Sequence, residues 1–353
     1  MLDWLLRGER SHQAPPDPDP PLRAEARLPI HILTEHAELC IEDGMLAISG
    51  ERDDRRVRLD EVSLVAIHGA ATVTTPCLGV LADAGIPVLL LSASGYYRGQ
   101  LVDLSQSHAA TRRAQYAAAA NPAKCLQLAR GLIEAKIAGA ARLLRRRSGA
   151  SDPVHRRLRE AAKAAARARG LDALRGVEGA AAAAWYGALP TLLLRHDELF
   201  VFDSRSRRPP RDAVNALLSY LYAVLTGQAA AAALAHGLDP NVGFLHAERP
   251  GRPALGLDLV EPLRTFVADA AAIAAINNGE FGAEDFDTQD DGSVRLTRAG
   301  RRAALAILER RLSTEVSYEG TEMTWRGSVS QHALQLARAL REGRTRVPFP
   351  QPK

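Results

Sequence analysis

Short apolar runs separated by turn-forming residues dominate the first third of the chain. Between Leu28 and about Asp103, four runs predict β-strands, at residues 29–33, 37–41, 45–48 and 64–67. Turn signals at Asp43-Gly44 and Ser49-Gly50 separate several of them, which is the pattern of a meander of hairpins. A helical stretch at 76–84 then leads into a further apolar strand at 86–91. The pattern predicts a small β-rich domain at residues 28–105.

Beyond Ser107 the periodicity changes to that of helices. One face of a predicted helix carries Leu126, Leu128, Leu132, Ile133 and Ile137. The alanine runs at 117–120, 180–184 and 229–233 favour close-packed helix. Asn-Asn-Gly at 277–279 and Asp-Asp-Gly at 290–292 predict a loop with a small hairpin at 277–297, after which a helix resumes through Leu312.

These patterns predict an α+β protein of two domains. We expect a flexible, Pro-rich leader at 1–27, the β-rich domain at 28–105, a mainly α-helical domain at 106–345 and a tail at 346–353. A length of 353 residues agrees with two hydrophobic cores.

The composition is that of an ordinary soluble protein, with 46% hydrophobic and 24% charged residues. Cys40, Cys77 and Cys125 are odd in number and widely spaced, which argues against a disulfide framework or a structural zinc site and favours a reducing compartment. The apolar runs fall short of the roughly 20 residues that a membrane span requires. We therefore expect a cytoplasmic protein that does not bind a membrane.

One glutamate lies in an Ala-rich helix that is predicted to be buried. Glu178 follows Arg-Gly-Val at 175–177 and precedes Gly-Ala at 179–180. Burying a carboxylate is costly unless a cation or a metal compensates for it, so the position indicates a functional acid. The alternative is a glutamate at a helix N-terminus, where the helix dipole favours negative charge.

A histidine and two acids follow further along the chain. His246 ends the segment 241–246, a strand-like stretch or loop, and Asp258 and Glu261 lie 12 and 15 residues later in an apolar run. Residues three apart share a helix face, so the two carboxylates would point the same way. The alternatives are a structural histidine and a capping box from Asp258 to Glu261, which Pro262 weakens because it has no N–H for the first intrahelical bond.

Three motifs together resemble the CRISPR-associated endonuclease of the universal spacer-acquisition (adaptation) integrase family. They are Gly-Val-Glu-Gly at 176–179, Asn-Val-Gly-Phe-Leu-His at 241–246 and Leu-Asp-Leu-Val-Glu at 257–261. The likeness extends to 207–220 and 81–88, so it spans about residues 28–312.

The resemblance implies a β-rich N-terminal domain that dimerises and a helical catalytic domain with a Glu, His, Glu/Asp metal site. The implied ligands and catalytic residues are Glu178, His246 and Glu261. Asp258 matches an acid beside that site, which supports a ligand or occasionally serves as one. Pro262 stands where a second acid or a similar helix former is expected, so the role of Asp258 stays open.

Two carboxylates and an imidazole form an oxygen-rich ligand set that suits Mg²⁺ or Mn²⁺. Such an ion polarises a phosphodiester and stabilises charge on the attacking or leaving oxygen. In the implied reaction, the 3′-hydroxyl of a short foreign DNA fragment attacks a phosphodiester at the edge of a CRISPR repeat, whereas water as nucleophile would give cleavage. The resemblance further implies a homodimer and a small ferredoxin-like CRISPR-associated partner protein.

The net charge of +4 is only mildly basic, but its distribution is uneven. Residues 142–169 contain ten Lys and Arg residues against two acids, and a Pro-containing loop near 205–211 carries a second basic cluster. We predict that these clusters contact double-stranded DNA through its phosphates. The predicted DNA-binding residues are Arg145, Arg146, Arg147, Arg156, Arg157, Arg205, Arg207, Arg208 and Arg211.

The bland alternative for such charge runs is a solvated helix face. For the whole protein, the competing hypotheses are a catalytically silent DNA-binding scaffold and a metallohydrolase of small substrates. The sequence contains no HExxH pair, and the basic clusters disfavour the metallohydrolase.

Overall fold

The structure, a computed structural model, describes most of the chain. The described residues are 27–50, 54–101, 108–149, 152–195, 197–206 and 209–350. The predicted leader, apart from Arg27, and the last three residues of the predicted tail lie outside them.

Two four-stranded sheets form the N-terminal part. Their strands are β1 (Leu28–Ile32), β2 (Ala37–Glu42), β3 (Met45–Ser49), β4 (Arg55–Arg58), β5 (Val62–His68), β6 (Ala71–Val73), β7 (Val88–Leu91) and β8 (Tyr97–Leu101). One sheet has the strand order β1-β5-β7-β8 and the other β4-β3-β2-β6. Helix α1 (Thr75–Asp83), close to its predicted bounds, connects β6 to β7.

The predicted meander of hairpins is right for β2, β3 and β4, which pair antiparallel in chain order, and β7 and β8 form a further antiparallel pair of chain neighbours. It is wrong for β1, β5 and β6, because β1 with β5, β5 with β7 and β2 with β6 are parallel pairs. Parallel neighbours need a crossover connection, and the local apolar pattern that identifies a strand does not specify its distant partner.

The remainder of the chain is mainly helical, with two short hairpins. The helices are α2 (Ala109–Ala119), α3 (Pro122–Ser148), α4 (Pro153–Ala166), α5 (Leu171–Ala188), α6 (Ala213–Ala235), α7 (Ala254–Val260), α8 (Ala270–Asn277), α9 (Arg298–Leu312) and α10 (Trp325–Arg341). The hairpins are β9 (Phe286–Thr288) with β10 (Val294–Leu296), and β11 (Glu315–Tyr318) with β12 (Thr321–Thr324). The first hairpin and α9 match their predictions, and the mixed α and β architecture confirms the predicted fold class.

Local sequence sets the ends of the helices that matter for the site. The Asn121 side chain accepts hydrogen bonds from two backbone N–H groups at the start of α3, and Pro122 follows as the first helical residue. Asp152 and Pro153 do the same for α4. These caps satisfy N–H groups that have no partner within the helix.

Helix α6 runs through the centre of the helical core. It is long and apolar enough to cross a membrane by length and composition, so the expectation that no segment reaches that length is wrong. However, 83% of its most apolar stretch is buried inside the fold, as in the core helix of a globular protein. Its residue Ala231 also packs against Leu64, Leu89 and Leu91 of the first sheet, so α6 joins the sheet to the helices.

Candidate active site

Two helices and one loop bring the predicted ligands into the same region. Glu178 lies on α5, His246 on the loop between α6 and α7, and Glu261 on the residue that follows α7. The segment 241–246 is a loop and not a strand. Lys136, from the middle of α3, contacts both glutamates.

Asp258 holds the loop that carries His246. The carboxylate is fully buried and accepts backbone hydrogen bonds from Phe244 (2.6 Å), Leu245 (3.0 Å) and His246 (3.1 Å). It also lies 2.7 Å from Nδ1 of the His246 ring. An ionised carboxylate can only accept, so Nδ1–H would donate to Asp258, and in a neutral imidazole Nε2 would then be the acceptor nitrogen.

The capping-box alternative is therefore wrong, because Asp258 lies inside α7 and caps the loop rather than its own helix. The predicted shared face of Asp258 and Glu261 is observed in one respect, since both carboxylates lie beside the His246 ring. Beyond Glu261 the chain tightens, with a backbone bond from Leu263 to Val260, before a π-helical turn at Thr265–Asp269. Pro262 supplies no N–H at this break, as expected of proline.

A glycine lets this loop approach the buried carboxylate. A β-carbon on Gly243 would lie 2.8 Å from Oδ2 of Asp258 and 3.0 Å from the carbonyl carbon of Ala254. Both distances are shorter than van der Waals contact, so any larger residue would push the loop away from α7. Gly243 therefore allows the loop to come close enough to Asp258 for the hydrogen bonds that position His246.

Glu261 is surrounded by cations. Its side chain is 3% exposed, with Lys136 Nζ 2.7 Å from Oε2 and an Arg264 guanidinium nitrogen 3.1 Å from Oε1. Burial opposes ionisation, yet Arg264 and Lys136 hold the pKa of Glu261 at about 2. Glu261 is therefore a carboxylate at neutral pH, available as a ligand.

Glu178 is half-buried, with a side chain that is 26% exposed, rather than fully buried as expected. It lies well inside α5, which begins at Leu171, so the alternative of a glutamate in the first helical turn is wrong. Its Oε1 contacts the Lys136 ammonium. Burial alone would lower the pKa of Lys136, but the two carboxylates raise it above its usual value.

The donors fit a hard divalent cation in their chemistry. Nε2 of His246 lies 3.8 Å from Oε1 of Glu261, and the Asp258 carboxylate lies 2.7 Å from the other ring nitrogen, Nδ1. Among the described residues, Oε2 of Glu261 is a buried oxygen with no well-aligned hydrogen bond. Carboxylate oxygens and a neutral imidazole nitrogen are ligand types that Mg²⁺ and Mn²⁺ accept.

In the described part of the chain, no group of three His, Cys, Asp or Glu side chains is close enough to hold a metal ion as it stands. The structure thus pairs His246 with Glu261 and reaches Glu178 through Lys136, whose ammonium lies between the two glutamates.

Lys136 and Arg264 are not among the residues predicted from the sequence. A pattern was present for Lys136: it shares a helix face with Ile133 and Ile137, which are buried, and a lysine on such a face needs an anionic partner. Arg264 lies three residues after Glu261, a spacing that places side chains together.

Beneath the site lies a buried polar network on α5, α6 and the π-helical turn. Asp269 accepts hydrogen bonds from Trp185 Nε1 (2.9 Å) and from the Tyr222 hydroxyl. Burial raises the pKa of Asp269 to about 6 despite these bonds. The Arg264 guanidinium stacks 4.6 Å from the centre of the Tyr222 ring, so the network also supports the cation beside Glu261.

Gln115 of α2 fixes the other end of the His246 loop. Its fully buried amide donates to the carbonyls of Asp239 (2.9 Å) and Val242 (2.7 Å) and accepts from the Asp239 N–H (2.7 Å). The loop is therefore held by Gln115 before Gly243 and by Asp258 after it.

The predicted DNA-binding residues divide into four groups, of which Arg205 alone forms the last. Arg145, Arg146, Arg156 and Arg157 are exposed at the end of α3 and on α4. Arg211 is exposed and donates to the carbonyl of Asp291. Arg207, Arg208 and the Arg147 side chain lie outside what the structure describes.

Arg205 is engaged within the fold. It donates to Asn215 Oδ1 (2.5 Å) and Ser219 Oγ (3.0 Å) and lies 5.4 Å from the centre of the Tyr222 ring. The contacts assign it a structural role beside the polar network, so its phosphate contact remains a prediction.

The chain therefore has a β-rich part followed by a helical part. In the helical part, carboxylates and an imidazole lie close together, and exposed arginines lie at the end of α3 and on α4. The sequence model of the family described as "CRISPR associated protein Cas1" matches residues 30–310. This chain belongs to that family, and the resemblance seen in the three motifs is confirmed.

The chain is similar to a "CRISPR-associated exonuclease Cas4/endonuclease Cas1 fusion" of Rhodospirillum rubrum, with 37% identity over 347 residues. That match covers 96% of this chain and 59% of the fusion, so the chain spans little more than half of that relative's length. It is also 38% identical over 293 residues to "CRISPR-associated endonuclease Cas1 3" of Thermus thermophilus, covering 82% of this chain and 86% of that protein.

Among solved structures, a "Casposase bound to integration product" matches with a TM-score of 0.79 and 23% identity. The match covers 90% of this chain and 92% of that chain, so the two proteins share a fold.

Proposed function

We propose that this chain is a metal-dependent DNA endonuclease and integrase of CRISPR adaptation, which inserts short foreign DNA fragments as new spacers into a CRISPR array. Membership of the Cas1 family supports the reaction class. One observation carries the proposal for the site: Nε2 of His246 lies 3.8 Å from the ionised Glu261, while Asp258 lies 2.7 Å from Nδ1 on the other side of the ring.

Glu178, His246 and Glu261 would hold Mg²⁺ or Mn²⁺, which when bound polarises a phosphodiester for attack. Each residue contributes through what it does in the chain. Asp258 lies 2.7 Å from Nδ1, so a proton on that nitrogen would leave Nε2 free to bind the ion. Arg264 keeps Glu261 ionised, and Glu178 offers its carboxylate from the more exposed side of the site.

The exposed arginines place the incoming DNA. From Lys136 to Arg145 the chain advances nine residues along α3, which is about 14 Å at the helical rise. Arg145, Arg146, Arg156 and Arg157 would bind phosphates of a duplex that reaches the site.

The family resemblance supports the partners of this reaction. We propose that the protein acts as a homodimer through its β-rich domain and joins a small ferredoxin-like CRISPR-associated protein. Its substrates would be double-stranded DNA, both the incoming fragment and the CRISPR repeat. The free cysteines Cys40, Cys77 and Cys125 support a cytoplasmic location.

A strand-transfer assay tests the proposal. A labelled fragment and a plasmid with a CRISPR repeat are incubated with the protein, with its partner and with Mn²⁺. Glu178→Gln, His246→Ala and Glu261→Gln should each reduce joined product at least about a hundredfold, because each removes a ligand. Glu160→Gln is the matched control, since Glu160 is an exposed glutamate paired with Lys163. Full product from any of the three site variants would exclude that residue from the chemistry.

A fragment with a 3′-dideoxy end distinguishes integration from hydrolysis. It has no 3′-hydroxyl to attack with, so joined product should vanish while any water-dependent cleavage remains. A DNA-binding scaffold would retard DNA on a gel and give neither product. A metallohydrolase of small substrates would instead show no DNA affinity above that of a charge-matched protein.

A further inference from the structure

Lys136 holds the space between the two glutamates of the site. Its Nζ contacts Oε1 of Glu178 and lies 2.7 Å from Oε2 of Glu261. The lysine side chain is 13% exposed and that of Glu261 is 3% exposed, so the pair is largely shielded from water. The exposed Lys163, by contrast, pairs with the single carboxylate of Glu160.

The ammonium has the position and contacts of a cation ligated by carboxylates. Without it, Glu178 and the ionised Glu261 would face each other across a poorly hydrated gap, and like charges in such a gap repel strongly. Arg264 cannot replace it, because its guanidinium lies on the Oε1 side of Glu261. Lys136 therefore stabilises the arrangement of both carboxylates in the protein without a metal.

The same contacts set Lys136 against a divalent cation. An ammonium at Oε2 of Glu261 and a metal ion at the same oxygen repel each other. Each supplies the positive charge that the two carboxylates need. Occupation by one must weaken occupation by the other, and this effect is reciprocal.

Resting on the proposed metal-dependent function, we propose that Lys136 is a built-in competitor of the divalent cation. It preorganises Glu178 and Glu261 and must leave Oε2 of Glu261 when the cation binds. The released ammonium lies beside the site, where a DNA phosphate is the available anion. Lys136 is thus a positioning residue that sets the metal affinity of the site.

Binding of Mn²⁺ alone, without DNA, tests this proposal by isothermal titration calorimetry at fixed pH and ionic strength. Lys136→Met should tighten Mn²⁺ binding about tenfold, within the usual range of coupling between two sites. Lys136→Arg keeps the charge and should not tighten it. Lys163→Met is the matched control, because it removes an exposed lysine paired with Glu160 and should leave Mn²⁺ affinity unchanged.

A thermal melt gives a second measurement. Without metal, Lys136→Met should melt below the wild type because Glu178 and Glu261 lose their shared cation, and saturating Mn²⁺ should raise its melting temperature by more than it raises that of the wild type. Should Lys136→Met fail to fold, Lys136→Gln neutralises the same charge while keeping a donor for the carboxylates, and the same tightening is expected.

The outcomes separate the two proposals. If Glu261→Gln abolishes Mn²⁺ binding but Lys136→Met leaves the affinity unchanged or weakens it, the metal site stands and the competition is refuted. If the wild type binds no Mn²⁺, or binds it equally well with Glu261→Gln, the proposed metal site fails and the competition fails with it.

Discussion

Replacing Asp258 by asparagine should weaken metal binding by His246 although the histidine itself is unchanged. The asparagine has the same shape but only one acceptor oxygen, whereas the Asp258 carboxylate accepts from three backbone N–H groups and lies 2.7 Å from His246 Nδ1. If the amide oxygen keeps the N–H groups of Phe244 and Leu245, the amide NH₂ must face the His246 backbone N–H and the ring. Two hydrogen bonds to a charged acceptor are lost.

The magnitude follows from those two bonds. A hydrogen bond to a charged group contributes roughly 1.5–3 kcal/mol, so Asp258→Asn should lower the free energy of unfolding by about 3–6 kcal/mol. The amide NH₂ also donates to Nδ1 and moves the ring proton to Nε2, so that Nε2 loses the lone pair a metal would use. Loss of such a supporting partner typically costs about 10–100-fold in metal affinity.

Three measurements check this prediction. Urea unfolding gives the stability, titration calorimetry gives the Mn²⁺ affinity, and long-range ¹H–¹⁵N spectra of histidine-labelled protein report the tautomer of His246, assigned with His246→Ala. Asp60→Asn serves as control, because Asp60 forms an exposed pair with Arg58. A variant that keeps both the Nδ1–H tautomer and wild-type Mn²⁺ affinity would refute the proposed role of Asp258.

Four further predictions use other parts of the structure. Arg145→Glu with Arg146→Glu should weaken DNA binding and flatten its dependence on salt, measured by fluorescence anisotropy across a salt series; an unchanged slope would assign both residues to a solvated surface. Gln115→Ala should lower the strand-transfer rate constant with little change in DNA affinity, because it releases the loop before His246; equal losses in both would contradict this. Gly243→Ala should lower the melting temperature and the Mn²⁺ affinity together, since its β-carbon would lie 2.8 Å from the Asp258 carboxylate. Burial lowers the pKa of His68 to about 3. Below about pH 6.5 the unfolded chain therefore binds a proton at His68 that the folded protein does not bind. Acidification from about pH 7.5 to 5.5 should for this reason lower the free energy of unfolding by about 1.4 kcal/mol. His68→Gln should remove that part of the pH dependence in urea unfolding, and an unchanged dependence would contradict the shift.

The local sequence pattern predicted correctly those elements whose ends are marked within a few residues. Helix α9 and the β9–β10 hairpin lie where the sequence predicts them, because a turn with glycine and a change of period mark their ends. The pairing of β1 with β5 was not predictable in this way. It joins strands that are 30 or more residues apart. In the sequence both strands are only apolar runs, and an apolar run does not specify its partner strand.

The site shows the same division. His246 and Glu261 meet because they are separated by one loop and one short helix, so their motifs already place them close together. Asp258 was expected to support a ligand or to serve as one, but only the fold shows that its carboxylate holds the backbone of the His246 loop. Lys136 was not predicted, because its partners lie 42 and 125 residues away along the chain.

The net charge of the site depends on whether a divalent cation is bound. Asp258, Glu178 and Glu261 carry three negative charges, and Lys136 and Arg264 carry two positive charges, so with a neutral His246 the group has a net charge of about −1. A divalent cation changes that balance to about +1, which attracts a phosphodiester of charge −1 where the metal-free site would repel it. On the proposed metal-dependent function, the site would bind its cation before its DNA; the cation would displace Lys136, and the DNA would then contact its ammonium. Neutralising Lys136 should for this reason tighten the first step and weaken the second, a pair of opposite effects that a purely structural lysine would not produce.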